Sequence, residues 1–238
     1  MKHIPNTITS LNLASGFVAI IFILNGDIVT ASWCILVAMV FDFMDGFAAR
    51  ALKAYSEFGR ELDSLADLVS FGVAPGLIIF KMLISANSSN NNLFSFNEST
   101  SYIFIIAATI MPVCSALRLA KFNLDTTQSI TFRGLPTPAN ALAVITLVIA
   151  HHYSEASILS ILTGSQLFII LFSVFLSMMM VTRVKLLSLK FKDLKLKENE
   201  GRYAVILICT VMTSFFGISV IPMIIPVYII VSVIYFMF

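Results

Sequence analysis

Long apolar runs separated by short polar breaks set the pattern of this chain. Windows of about 19 residues, enough to span a hydrocarbon core at about 1.5 Å rise per residue, pick out eight candidate transmembrane helices. They run over 8–25, 28–50, 60–85, 101–120, 137–152, 157–182, 202–217 and 219–237. Only Phe216 to Pro222 separates the last two, and Gly217 and Pro222 mark that break. Together the last pair covers 36 residues, too many for one crossing. The expected fold class is an all-α integral membrane protein of about eight transmembrane helices.

The polar breaks carry charge unevenly. The turn at 25–27, the segment 85–101 and the turn at 151–157 contain no Lys or Arg. Lys2, Arg50, Lys53, Arg60, Arg118, Lys121, Arg133 and seven cations within 183–202 occupy the alternate breaks. Lys and Arg are retained in the cytoplasm, so eight helices with both termini inside place 14 of the 15 basic residues there, all but Lys81. The first apolar stretch is interrupted by Asn6, Thr7, Thr9, Ser10 and Asn12 and has no small-residue cleavage site after it. It reads as a first membrane helix, not a removable signal. The expected division is a six-helix core at 1–182, a basic cytoplasmic loop at 183–201 and a C-terminal helix pair at 202–238. The loop reads as a charged flank, with anionic lipid binding as the alternative.

Composition agrees: 58% of the 238 residues are hydrophobic and 12% charged, against roughly 25% charged in soluble domains. The net charge of +2 gives no basic surface for nucleic acid. Cys34, Cys114 and Cys209 stand singly in apolar runs, with neither metal nor disulfide spacing. His151 and His152 are adjacent but fall on the opposite side from the acids considered next, and the 11 Met residues read as packing.

The acids change the picture. Asp42, Asp45, Asp63 and Asp67 lie in apolar surroundings, where each costs about 2.5–3.5 kcal/mol at mid-membrane. Asp42 and Asp45 are i,i+3 and Asp63 and Asp67 i,i+4, so each pair projects from one helix face. Two antiparallel helices with a short link bring the pairs together. Four converging carboxylates repel one another unless cations balance them, and two divalent ions supply four positive charges. With oxygen ligands and no His or Cys nearby, Mg²⁺ or Mn²⁺ is favoured, and two such ions suit phosphate chemistry. The plain alternative is helix-end salt bridges with Arg50, Lys53 and Arg60. Glu57 and Glu61, off the two Asp faces, read as solvated or paired. Gly46, Gly59 and Ala49 leave room for a bulky group beside the acids, and Arg50 offers paired donors to a phosphate.

The residues D42FMDGFAAR50, an eight-residue spacer and G59RELDSLAD67 resemble the DxxDGxxAR(x8)GxxxDxxxD motif of the CDP-alcohol phosphotransferases, with every motif position filled. The resemblance implies a membrane enzyme with a six-helix catalytic core, homodimeric, that displaces CMP from a CDP-linked donor using an alcohol and two divalent metals. Carried over by position, it makes Asp42 and Asp63 ligands of both metals and Asp45 a ligand of one. Asp67 binds the other metal and serves as the catalytic base. Gly46, Ala49, Arg50 and Ser56 fall beside the CDP-diacylglycerol donor, as do Asn6 and Thr9 of P5NTIT9, for which helix capping is the alternative.

Farther along, S70FGVAP75, R118LAKFN123 and F132RGLPTPA139 resemble the phosphatidylserine synthase branch of that family, with Lys121 where that branch more often has Arg. The implied acceptor is L-serine. Arg118, Lys121 and Arg133 are candidates for its carboxylate, with Asn123 beside them; positive-inside retention or lipid phosphate binding is the alternative for each cation. The implied setting is multi-pass in a bacterial or archaeal cell membrane, with a cytoplasmic active site. Glycerol 3-phosphate or inositol phosphate is the other acceptor within the family. Outside it stand a prenyltransferase, which releases inorganic diphosphate, and a divalent cation transporter, which needs no Gly46–Ala49–Arg50 spacing.

Overall fold

The computed structural model describes residues 3–87, 98–124, 132–187 and 199–237. Most of the expected loops at 85–101 and 183–202 lie outside the described residues, as do Lys2, Lys190, Lys192, Lys195 and Lys197. All eight expected segments are helical. Among the described residues, five helices are long and apolar enough to cross a membrane, or six if one bent pair counts as a single span.

α1 (His3–Leu24) and α2 (Ile28–Ala51) form an antiparallel hairpin closed at 25–27, where Asp27 caps α2 by accepting from the Thr30 N–H at 2.9 Å. A short link then starts α3 (Glu57–Asp67), which Ser56 caps through the Gly59 N–H at 3.0 Å. A π-helical turn at Leu68–Val73 joins α3 to α4 (Ala74–Asn87). The tightest approach at any glycine falls on that turn. Gly16 of α1 lies against Ser70, where a Cβ would sit 2.2 Å from Ser70 Oγ and 2.8 Å from its Cα. Ser70 Oγ donates to the Asn12 carbonyl at 3.1 Å, which fixes α1 over the turn.

α5 (Glu98–Leu124) packs on α4, on the π turn and on α8. α6 (Thr137–Tyr153) runs through the middle, with Ala143 to Ala150 all buried; its nearly uniform apolar sequence suits a helix with protein on every side. Phe43, Phe47 and Phe215, at 70%, 62% and 80% exposure, face outward as expected of lipid-solvated residues.

Two details differ from the apolar pattern. The single helix expected at 157–182 is broken into α7 (Ser157–Gly164) and α8 (Gln166–Val181), bent by 81°. Ser165 adopts extended backbone and accepts from the Phe168 N–H at 3.3 Å, ending one helix and capping the next. Beyond α8, the two-residue strand β2 (Lys185–Leu186) pairs antiparallel with β1 (Phe132–Arg133), Phe132 opposite Leu186. Gly134, at φ +80, passes so close to α8 that a Cβ would lie 2.5 Å from the Met180 carbonyl oxygen.

α9 (Glu200–Phe216) and α10 (Ile224–Met237) are one unbroken apolar stretch by composition, yet they fold back on each other through the 3₁₀ turn Gly217–Met223. Gly217 takes φ +63, and the Tyr235 ring near the end of α10 lies 3.0 Å from where a Gly201 Cβ would stand at the start of α9.

Candidate active site

α1, α2 and α3 bring the acids together. Asp42, Asp63 and Asp67 each place a carboxylate oxygen within 4.8 Å of the others. Asp45, one turn beyond Asp42, instead accepts from Thr9 Oγ1 at 2.6 Å, although it remains in electrostatic reach of Asp63 and Asp67. Asn12 Nδ2 donates to Asp67 Oδ1 at 3.3 Å. Each hydrogen bond joins α1 to one of the acidic helices, so the first helix sets the aim of the site.

An all-carboxylate donor set fits a hard divalent cation. Asp63 Oδ1 is buried with no hydrogen-bond partner, which leaves coordinating capacity at the centre of the cluster. Arg60, a candidate for the salt-bridge alternative, pairs with Glu61 on the surface at 3.6 Å. Glu57, expected on a solvated face, lines the cavity described next.

A cavity of about 550 Å³ opens beside the acids. Asn6, Thr9, Gly46, Ala49, Arg50 and Ser56 all line it, with Asp45 and Asp63 in its wall. Asn6 and Thr9 lie one and two turns inside α1, so the capping alternative does not hold for either; Ser56 does cap α3. Gly46 leaves space that the Arg50 guanidinium occupies, its Nη1 3.5 Å from the position of a Cβ. At Gly59 a Cβ would meet Asn6 Oδ1 and Ser56 Oγ at 3.0 Å, so the glycine lets α3 approach α1.

The four acceptor candidates part company. Arg118 is within electrostatic reach of Asp67, donates through Nη1 to Thr137 Oγ1 at 2.8 Å, and keeps Nε buried without a partner. Its guanidinium carbon stands 6.0 Å from the Phe122 ring centre. Asn123 Nδ2 donates to Ser64 Oγ at 2.9 Å, tying α5 to the helix that carries Asp63 and Asp67. Lys121 is exposed. Arg133 has its backbone in β1, and its side chain lies outside the described residues.

Sequence reasoning passed over Asn12, Thr137 and Tyr228, the last within electrostatic reach of Arg118. It also passed over Asn140, one turn along α6 from Thr137, fully buried with both amide atoms unpartnered.

The sequence model of CDP-alcohol phosphatidyltransferases matches residues 2–181, about three quarters of the chain and every residue of this site but Tyr228. The chain belongs to the CDP-alcohol phosphatidyltransferase family. It is 37% identical over 147 residues to the CDP-diacylglycerol–serine O-phosphatidyltransferase of Bacillus subtilis (strain 168), covering 62% of this chain and 76% of that protein. To the protein of the same name from Helicobacter pylori (strain J99) it is 30% identical over 209 residues, 86% of this chain and 78% of that one. An archaetidylserine synthase of Methanothermobacter thermautotrophicus is 31% identical over 156 residues, 65% of this chain and 61% of that protein. CDP-alcohol phosphatidyltransferases are metal-dependent, and the Asp42, Asp63, Asp67 cluster is the site in this member that suits a metal.

Proposed function

We propose that this chain is a phosphatidylserine synthase that transfers the phosphatidyl group of CDP-diacylglycerol to the hydroxyl of L-serine and releases CMP. The observation that carries the reading is the joining of three carboxylates to a cavity lined by all six residues expected around the nucleotide donor, with a half-buried arginine in electrostatic reach of Asp67. The names of the relatives favour serine over other acceptors.

Asp42, Asp45, Asp63 and Asp67 would hold two divalent cations, Mg²⁺ or Mn²⁺, which when bound neutralise the donor diphosphate and stabilise charge on the departing phosphate. Arg50 offers paired N–H donors to the same diphosphate, and Asn6, Thr9, Gly46, Ala49 and Ser56 shape the nucleotide pocket. Arg118 pairs with the serine carboxylate and brings the hydroxyl up to Asp67; Lys121, Asn123 and Arg133 are the further candidates for that carboxylate. As serine Oγ bonds to the phosphorus bearing diacylglycerol, the bond from that phosphorus to the CMP oxygen breaks and Asp67 takes the hydroxyl proton. A carboxylate is a weak base for an alcohol, so this transfer comes late, and positioning supplies most of the acceleration.

The functional orientation is cytoplasmic for both termini and the site. Among the described residues, Arg50, Lys53, Arg60 and Lys121 lie toward the end of the bundle where Ser64 meets Asn123, whereas Asp27, His151 and His152 lie at the other, with Asp27 in reach of His152 and His151 bonded to Thr163 at 3.2 Å. The reading includes a homodimer.

The deciding experiment supplies purified protein with CDP-diacylglycerol and divalent metal, then compares serine, glycerol 3-phosphate and inositol phosphate. Serine-dependent CMP release is expected, and release with another acceptor alone would overturn the assignment. Chelation by EDTA should abolish turnover, with recovery on adding Mg²⁺ or Mn²⁺; full activity after chelation would remove the metal role.

A further inference from the structure

The C-terminal hairpin lies beyond residue 181, where the family match ends, yet it reaches the active site. Leu187, just after β2, is held by two side chains of α10. The Tyr228 hydroxyl donates to the Leu187 carbonyl at 2.7 Å, and Ser232 Oγ accepts from the Leu187 N–H at 3.3 Å. All three residues are buried. The same strap pairs with β1 and is bonded through the Val184 carbonyl to the Gly134 N–H at 2.9 Å, three residues before Thr137. Thr137 is the residue that receives the Arg118 guanidinium.

Tyr228 thus anchors the strap that leads, through β1 and Gly134, to the threonine bonded by Arg118. Its hydroxyl commits its single proton to the Leu187 carbonyl, so it serves the strap and reaches the guanidinium through Thr137. Arg118 Nε, buried and without a hydrogen-bond partner, leaves the guanidinium a donor for a ligand.

We propose that Tyr228 is a positioning residue for the acceptor: from the C-terminal hairpin it anchors the strap that seats Thr137, and through Thr137 it keeps the Arg118 guanidinium in the orientation that receives the acceptor's carboxylate, so the hairpin completes the acceptor site. The proposal rests on the serine reading above. It also moves the functional boundary past residue 182, because α10 then acts as part of the catalytic core.

The test uses the full chain in mixed micelles with CDP-diacylglycerol and divalent metal, measuring CMP release while each substrate is varied. Tyr228→Phe should raise the serine KM by about fivefold or more, with the CDP-diacylglycerol KM within about twofold. In an Arg118→Lys background the same substitution should add less than about twofold, because the two residues act as a unit. Tyr235→Leu loosens the hairpin at Gly201 without touching Tyr228 and should leave the serine KM within about twofold. A folded Tyr228→Phe protein with unchanged serine KM, a Tyr235→Leu protein with the same rise, or full additivity with Arg118→Lys would each overturn the proposal. If Tyr228→Phe does not yield folded protein, Tyr228→His, with a smaller ring that keeps a donor, is read on the same parameter. Should the wild type use a different acceptor, the serine reading fails by itself, and the Tyr228 effect on that acceptor's KM still decides the positioning role.

Discussion

Asp67 stands at the centre of the proposed chemistry: it is buried, bonded by Asn12, and in electrostatic reach of Asp42, Asp45, Asp63 and Arg118. Replacing it by Asn keeps the shape and removes the proposed base. Turnover should fall by about 10²-fold or more, while CDP-diacylglycerol still binds within a few fold. Near-normal turnover would eliminate the proton-accepting role. The aspartates were legible in the sequence because a carboxylate in an apolar run is costly enough to need a reason. Asn12, Thr137 and Tyr228 were not, because a neutral polar residue in a membrane helix reads the same whether it bonds its own backbone or a distant catalytic group. Thr9 does both, donating toward the Pro5 carbonyl at 3.0 Å and toward Asp45 at 2.6 Å.

Among the elements, α1 is the least expected participant, since its sequence carries no acid and yet its hydrogen bonds aim two of the four. Its seat depends on Gly16. Gly16→Ala should destabilise by about 1–3 kcal/mol through overpacking against Ser70, and should lower activity as Thr9 and Asn12 shift. Ser70→Ala should not rescue it, because the Ser70 Cα is itself 2.8 Å from the added methyl; full rescue would show that only the hydroxyl stands in the way.

At the far end of the hairpin, the hydrogen bonds from Thr30 hold the Asp27 carboxyl below the usual carboxylate range. The folded state then favours the ionised form, so the cap contributes stability at neutral pH that is lost as the pH falls through the carboxylate's own titration. Asp27→Ala should lower Tm at pH 7 with little effect on either KM, and the gap should narrow in acid; a gap that widens would reverse the sign. The apolar runs made the helices legible, whereas the bend at Ser165 and the β1–β2 pair depend on which carbonyls meet across the fold, which hydropathy does not encode.

For the whole molecule, scarce charge became directional. On the proposed orientation the few cations lie on the cytoplasmic side, and the few buried carboxylates mark the same end of the bundle as the proposed reactive one. In a background with Cys34, Cys114 and Cys209 replaced by Ser, Asn25→Cys should react with an impermeant thiol reagent on intact cells. Tyr55→Cys should react only after permeabilisation. The reverse pattern would invert the membrane orientation and put the site on the wrong side for cytoplasmic serine. The break at Gly217 and Pro222 separated α9 from α10 in the sequence, and the Gly201–Tyr235 contact shows that the two pack back on each other.

The π-helical turn at Leu68–Val73 has a consequence for how this protein can vary. A π turn holds a residue more than an α turn, and each residue of an α-helix is worth about 100° of rotation. Winding the same residues as a regular α-helix would give a straighter segment. It would also swing Asp63 and Asp67 about a quarter-turn relative to the membrane-embedded half, away from Asp42 and out from under α1. The irregularity is a phase shift between a catalytic face and a lipid-buried one, and lineages that smooth it away would keep the fold and lose the enzyme.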